Sequence, residues 1–535
     1  MNPNPNKNYL GRGWVAVSML IAVLVAVSFI PPQSVGEVKF RRANILADLI
    51  TFEDKTAMET PSEPMLFDEE EFRVDMQAVA EQIIADTLPR SVQTCFEWHY
   101  ADMLPIPSIQ QPITPDTARM IPTLTPIEDF SDNNSIQAFC DTLLLGHRPI
   151  RIAFLGDSFV EGDILTADLR ERLQTTYGGG GAGFAPMDSP LTGFRRSIKT
   201  QSKGWTSYNI MQHKNTPEPL KTNYYVSGWV CQPTPEASTR WETTKFRKGL
   251  DSCTTARLLF IATQESRVKV TLNDTLRREF NIEKGDVVRQ IAVHAPQIHS
   301  VELCVLSGAE GFIGYGVIME GGRITVDNYS IRSNNGQAMF RTNPAINAQI
   351  HTMTPYDLVI LQYGLNIMQT GVTNYSGYAN QIEKMIGFVR QCFPQAAVLV
   401  MGVSDRSVKT ENGFEPMDAI PAMLDHQRQA ARRAKAAFWP TCDAMRVQGG
   451  MARFVQKGWA GKDFTHINYA GGRQIAWALF DAFQTEINNS YQRQELKKRQ
   501  SRQQAALIDS LQQNKIYHDL LSGTTPEIGD VSPQP

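Results

Sequence analysis

The 535-residue chain has no C-x-x-C pair among its seven cysteines, Cys95, Cys140, Cys231, Cys253, Cys304, Cys392 and Cys442. That spacing excludes zinc ribbons and thioredoxin-type redox sites. The cysteine count is odd, so at least one thiol is free or pairs with another chain; Cys231, Cys253 and Cys304 fall in one β-patterned region and could pair in an oxidising compartment. Charge of either sign is also lacking in excess, with 52 Lys and Arg against 55 Asp and Glu. A net charge of −3 offers no bulk attraction to nucleic acid or anionic lipid. There is no Gly-Lys-Ser/Thr, and the Gly-rich run at residues 178–183 follows a helical pattern instead of joining a strand to a helix. A phosphate-cradling loop is therefore excluded, and the run reads as flexible backbone. No cofactor motif and no metal-ligand spacing is found.

Against these absences stands one long apolar run, residues 14–30 (WVAVSMLIAVLVAVSFI), preceded by Lys7 and Arg12. It is just long enough to span a bilayer and is followed by Pro31-Pro32 without a small-x-small cleavage site. It reads as a retained signal anchor, with a cleaved signal peptide as the alternative. The positive-inside rule then keeps the short N-terminus in the cytoplasm and puts the rest of the chain outside the cytoplasmic membrane, in the cell envelope.

The length requires more than one folded unit. Residues 1–35 form the anchor segment, and residues 36–130 combine an amphipathic helix (67–88) with a Pro- and Thr-rich linker (105–126). Residues 131–198 and 325–486 alternate buried-type strands and helices, at 150–155, 356–363 and 396–403 for strands and 135–145, 161–175, 375–392, 419–438 and 472–483 for helices. Between them, residues 199–324 carry short β-branched strands punctuated by turns. The expected fold class is thus α/β, three-layered with a largely parallel sheet, interrupted by an inserted all-β sandwich whose Trp205, Trp229 or Trp241 could face a carbohydrate. Residues 487–535 form a polar, helical tail whose last residues, after Ser522, look disordered.

The parallel-sheet halves hold three polar constellations. Gly156-Asp157-Ser158 ends the strand of residues 150–155 and opens a helix, the place where open α/β sheets bind ligands and where helix N–H groups can face negative charge. Ser158 is a candidate nucleophile there, or simply a helix cap. Asn366, in Gly364-Leu365-Asn366, closes another strand in the same kind of position and could donate its amide to an oxyanion, or act as a turn residue. Asp463 precedes His466 by three residues, so the carboxylate can orient the imidazole while the other ring nitrogen reaches a nucleophile. A surface ion pair is the plainer reading of that pair alone.

Together these residues resemble the SGNH or GDSL family of serine esterases, whose four sequence blocks supply Ser, Gly, Asn and His. Here the blocks are Gly156-Asp157-Ser158-Phe159, Asn335-Gly336-Gln337, Gly364-Leu365-Asn366 and Asp463-Phe464-Thr465-His466. Phe159 replaces the usual Leu, Ile367 follows Asn366 where many members have Asp, and Ser333 stands where another glycine is common. The layout is similar to bacterial peptidoglycan O-acetylesterases, which carry a carbohydrate-binding-like domain between the Ser and Gly blocks. The resemblance implies catalysis by Ser158, Asp463 and His466, and an oxyanion hole from Ser158, Gly336 and Asn366. It implies no cofactor and no metal. The partners implied are an acetylated envelope polysaccharide, the membrane through the N-terminal helix and, for a transferase, a membrane acyl-transfer partner. The activity expected is hydrolysis of glycan O-acetyl groups, with transfer of acetyl groups onto a glycan as one alternative and glycan binding without catalysis as another, against which the joint presence of Ser158, Asp463 and His466 argues.

Overall fold

In the computed structural model the described residues are 14–15, 18–19, 33–35, 38–40, 73–86, 92–100, 113–115 and 123–523. Most of the apolar run at 14–30, most of the linker at 105–126 and the terminus from 524 lie outside them. Among the described residues no helix is long and apolar enough to cross a membrane. The first 66 residues form a unit of their own, in which Gln33–Val35 pairs antiparallel with Val38–Phe40.

The second unit is built on a six-stranded sheet. Its strands are β1 (Glu128–Asp129), β2 (Ile150–Gly156), β3 (Ile324–Ser330), β4 (Leu358–Gln362), β5 (Ala397–Met401) and β6 (Ala437–Trp439), in the order β3-β2-β4-β5-β6-β1. All neighbours are parallel except β1, which runs antiparallel to β6. Every residue of β2, β4 and β5 is buried, as expected when helices cover both faces of a parallel sheet. The helices of ten or more residues among those described are α1 (Met76–Asp86), α2 (Ser135–Leu145), α3 (Thr166–Tyr177), α4 (Pro344–Met353), α5 (Ser376–Cys392), α6 (Ala419–Arg433) and α7 (Tyr469–Leu521). The chain leaves β2, returns as β3 on one side, and crosses to β4 on the other. The carboxyl end of β2 is therefore the topological switch point, where such sheets bind ligands.

A second sheet of ten strands holds nine from Gly180–Pro186 through Phe312–Gly321 and a tenth, Cys95–His99, from the N-terminal segment. Hydrogen bonding joins all ten, where the strand pattern of residues 199–324 predicts a sandwich of two sheets. The pairing of Cys95–His99 parallel to Gly285–His294 joins residues nearly two hundred apart, so periodicity gives no hint of it.

Several local expectations are corrected. The Gly-rich run is not flexible: Gly180–Pro186 is a buried strand paired with Phe312–Gly321. At Gly181, φ is +80° and a Cβ would lie 2.3 Å from the Met319 carbonyl oxygen, so the glycine permits close strand packing. Trp229 and Trp241 are buried, the Trp241 ring nitrogen donating to the Pro186 carbonyl (3.1 Å), and Trp205 packs partly buried against the same core. The Trp241 ring therefore offers a carbohydrate no open face. All seven cysteines are free, Cys231 and Cys253 among the buried ones. The closing helix and the polar tail are one continuous helix, α7, because no proline or glycine interrupts it after Gly472.

Candidate active site

Asp157 and Ser158 leave the switch point directly from β2. Gly156 is required by close approach, since a Cβ there would lie 2.5 Å from Val160 Cγ2 and 3.1 Å from Gln362 Oε1. The turn closes on itself when the Phe159 N–H donates to Asp157 Oδ1 (2.9 Å). A single 3₁₀ turn, Glu161–Asp163, follows, and α3 begins only at Thr166. The helix expected from residue 161 is thus displaced, and its N-terminal N–H groups do not start beside Ser158. The turn is tied from below by the buried Asp163 carboxylate, which accepts from Arg170, Arg195, Thr166, Ser197 and Asn328. Burial pushes that carboxyl up, but the two guanidinium groups outweigh it and hold it well below the usual range.

Asn366 follows β4 across the switch point. Its side-chain amide donates to Asp157 Oδ2 (3.2 Å) and to the Asn334 carbonyl (3.1 Å), so it ties the Ser158 turn to the loop after β3. In that loop Gly336 has φ +99°, and a Cβ would lie 2.1 Å from Met385 Sδ. Its N–H donates to Asn334 Oδ1 at 2.9 Å. Ser333 has φ +58°, the left-handed backbone that favours glycine, in keeping with a position where glycine is common. Asp157 is fully buried and its carboxyl is pushed up to about 7 by that burial, against the Phe159 N–H, the His466 charge and Gln362.

Asp463 and His466 stand on the loop before α7. His466 Nδ1 donates to Asp463 Oδ2 at 2.7 Å, while Asp463 Oδ1 accepts from the N–H groups of Thr465 and His466, both at 3.1 Å. Burial raises the Asp463 carboxyl, and these hydrogen bonds more than reverse it, bringing it to about 2. The bond at Nδ1 leaves Nε2 as the free working nitrogen. Both side chains are more than half exposed, so the site opens to solvent. Tyr469, three residues after His466, donates its hydroxyl to the Gly162 carbonyl at 2.7 Å, which ties the segment to the turn that follows Ser158. Among the described residues no hydrogen bond joins Ser158 Oγ to His466; in unliganded sites such bonds are often long.

Sequence reasoning misses what braces this loop. Phe464, at φ +54°, stacks on Phe414 with ring centroids 3.9 Å apart, and its carbonyl accepts from the Ser407 N–H at 3.0 Å. Phe414 and Ser407 belong to a hairpin, Ser407–Thr410 and Gly413–Pro416. Beside it, the guanidinium of Arg406 donates to the Leu365 carbonyl at 3.5 Å, next to Asn366. The only sequence signal of the hairpin is a turn-type Asn412-Gly413.

No protein-family model matches the chain, and no curated protein matches it. Among solved structures, a peptidoglycan O-acetylesterase is 23% identical over 68% of this chain and 99% of its own, with a TM-score of 0.55. A family two carbohydrate esterase from Cellvibrio japonicus aligns with 55% of this chain and 98% of its own at 9% identity and a TM-score of 0.23. A GDSL-like lipase from Parabacteroides merdae aligns with 30% of this chain and 73% of its own at 13% identity and a TM-score of 0.23. The first of these likenesses shows that the chain shares the fold of that solved structure, in agreement with the switch-point topology.

Proposed function

We propose that the protein is a serine esterase that removes O-acetyl groups from a cell-envelope glycan such as peptidoglycan. The observation that carries this reading is the Asp463–His466 bond, 2.7 Å at Nδ1, on a segment that Tyr469 ties to the turn after Ser158 through the Gly162 carbonyl. An imidazole fixed in that tautomer presents Nε2 as a general base, and a carboxylate behind it stabilises the imidazolium that forms.

Ser158 Oγ attacks the ester carbonyl carbon and His466 Nε2 takes its proton. The carbonyl oxygen becomes an oxyanion held by the Ser158 N–H and by the Asn366 amide, one of whose two donors must then leave Asp157 or the Asn334 carbonyl. The Gly336 N–H joins them when the Asn334 side chain that now accepts from it turns away. His466 then returns its proton to the departing sugar oxygen, leaving acetyl-Ser158, and water activated by the same nitrogen releases acetate. The open site suits a polymer, which has to lie across a surface instead of entering a closed cavity. The apolar residues 14–30 would anchor the enzyme with its catalytic domain outside the cytoplasmic membrane, beside that polymer.

The test is acetate release from O-acetylated peptidoglycan, with p-nitrophenyl acetate in parallel, by the full chain and by Ser158→Ala. Release from both, lost in the variant, is expected. Release from the small ester alone would overturn the glycan assignment, and acetyl transfer to an added glycan without free acetate would make the protein a transferase.

A further inference from the structure

The ten-stranded sheet carries a second cluster of chemically able side chains, on its N-terminal edge strand. In Cys95–His99, alternate side chains point the same way. Phe96 and Trp98 pack against the core of that sheet, so Glu97 and His99 face outward together. His99 is the register partner of His294 in the neighbouring parallel strand. The two imidazoles stack, with centroids 4.6 Å apart and planes 13° from parallel.

Glu97 Oε2 lies 2.6 Å from His294 Nε2 and 3.8 Å from His99 Nε2, and one donor atom from each of the three residues lies within 4.8 Å of the others. Donors around a tetrahedral zinc ion with bonds near 2.0 Å sit about 3.3 Å apart, so each measured pair is within about an ångström of that spacing. His294 Nδ1 meets Thr255 Oγ1 at 3.1 Å. A hydrogen bond at that nitrogen fixes the ring and turns the other nitrogen toward the shared position, the outer support that metal-bound histidines ordinarily have. Two imidazoles and one carboxylate are the borderline ligands that suit Zn²⁺, and the exposed outer side leaves a fourth position for water.

We propose that Glu97, His99 and His294 form a zinc-type site that fastens the N-terminal segment to the sheet. Two ligands come from the added edge strand and one from the strand it pairs with. A bound ion therefore closes a loop of nearly two hundred residues, and it opposes peeling of an edge held otherwise by backbone bonds such as Tyr100 N–H to the His294 carbonyl (2.8 Å). The cluster lies outside the esterase site and takes no part in its chemistry.

The test uses the full chain in detergent, stripped with a chelator and titrated with Zn²⁺ by calorimetry and with Co²⁺ by visible absorption. One ion per chain is expected, with tetrahedral Co²⁺ bands. Binding should weaken at least about tenfold in both His99→Ala and Glu97→Gln, and Zn²⁺ should slow proteolysis within residues 92–100 in the parent only. Both substitutions fall on exposed side chains, so the variants fold. Binding that persists unchanged in both variants, or that is lost only with His466→Ala, would overturn the site. Absence of binding would overturn the site and reduce the cluster to a Glu97–His294 hydrogen bond.

Discussion

Two carboxylates at the same end of the sheet, Asp157 and Asp463, are driven in opposite directions. Asp157 is fully enclosed and its amide neighbours, Asn366 and Gln362, are uncharged; burial wins and the carboxyl rises to about 7. Asp463 is half-exposed and meets an imidazole and two backbone N–H groups; the hydrogen bonds win and the carboxyl falls to about 2. The lesson is that aspartate at one end of a sheet is not one kind of group. A carboxylate that must stay charged behind a base is given donors and water, whereas one that holds a neutral amide in place tolerates burial.

The comparison can be broken in order of effect. Ser158→Ala removes the proposed nucleophile, and turnover of p-nitrophenyl acetate should fall on the order of 10⁶-fold; residual activity within tenfold of the parent would remove Ser158 from the mechanism. Asp463→Asn leaves the loop shape but forfeits the charge behind His466, with an expected loss of about 10⁴-fold in kcat. An unchanged kcat would mean that the 2.7 Å bond is a surface ion pair. Asn366→Ala, on the Asp157 side, should cost roughly 10²-fold to 10³-fold in kcat with KM little altered, as expected for an oxyanion donor. A change confined to KM would instead make Asn366 a substrate-binding residue.

The smallest effect sharpens the contrast through pH. Asp157 binds its proton more tightly folded than unfolded, with a folded value of about 7 against an ordinary 3.8. Stability therefore falls as pH rises from about 4 to 7 and stays lower above that. Asp157→Asn keeps an acceptor for Asn366 and lacks that penalty, so its Tm should gain on the parent's between pH 5 and pH 8. Asp463 behaves oppositely: its contribution is full above pH 3.8 and is lost as pH falls toward 2. Equal Tm differences for Asp157→Asn at pH 5 and pH 8 would contradict the burial argument.

Much of the parallel sheet was legible because each strand is short, apolar and bounded by turn residues, and the helices between them keep a 3.6-residue period. Residues 135–145 and 375–392 show this, matched by α2 and by α5 at Ser376–Cys392. The positions of the candidate residues were legible for a different reason: Ser158 and Asn366 follow strand ends, and Asp463 and His466 are local partners. What stayed hidden is non-local or sterically conditioned. The start of α3 shifts to Thr166 because the backbone spends Gly162 and Asp163 in left-handed conformations over a buried ion cluster. The Gly-rich run becomes a strand because bare backbone allows a neighbour to approach closely, and composition alone reads such a run as flexible.

By itself, then, the sequence determined the α/β alternation, the β-rich insert and the residue types at three strand or loop ends, since these depend on local periodicity and turn chemistry. Only the tertiary structure decided that Asn366 binds Asp157, that Gly336 donates to Asn334, that Trp241 is core, and that Glu97 and His99 meet His294. Each of those depends on chain segments brought together by burial and register, and register between distant strands is set by the packing of a whole face, which no short stretch of sequence contains.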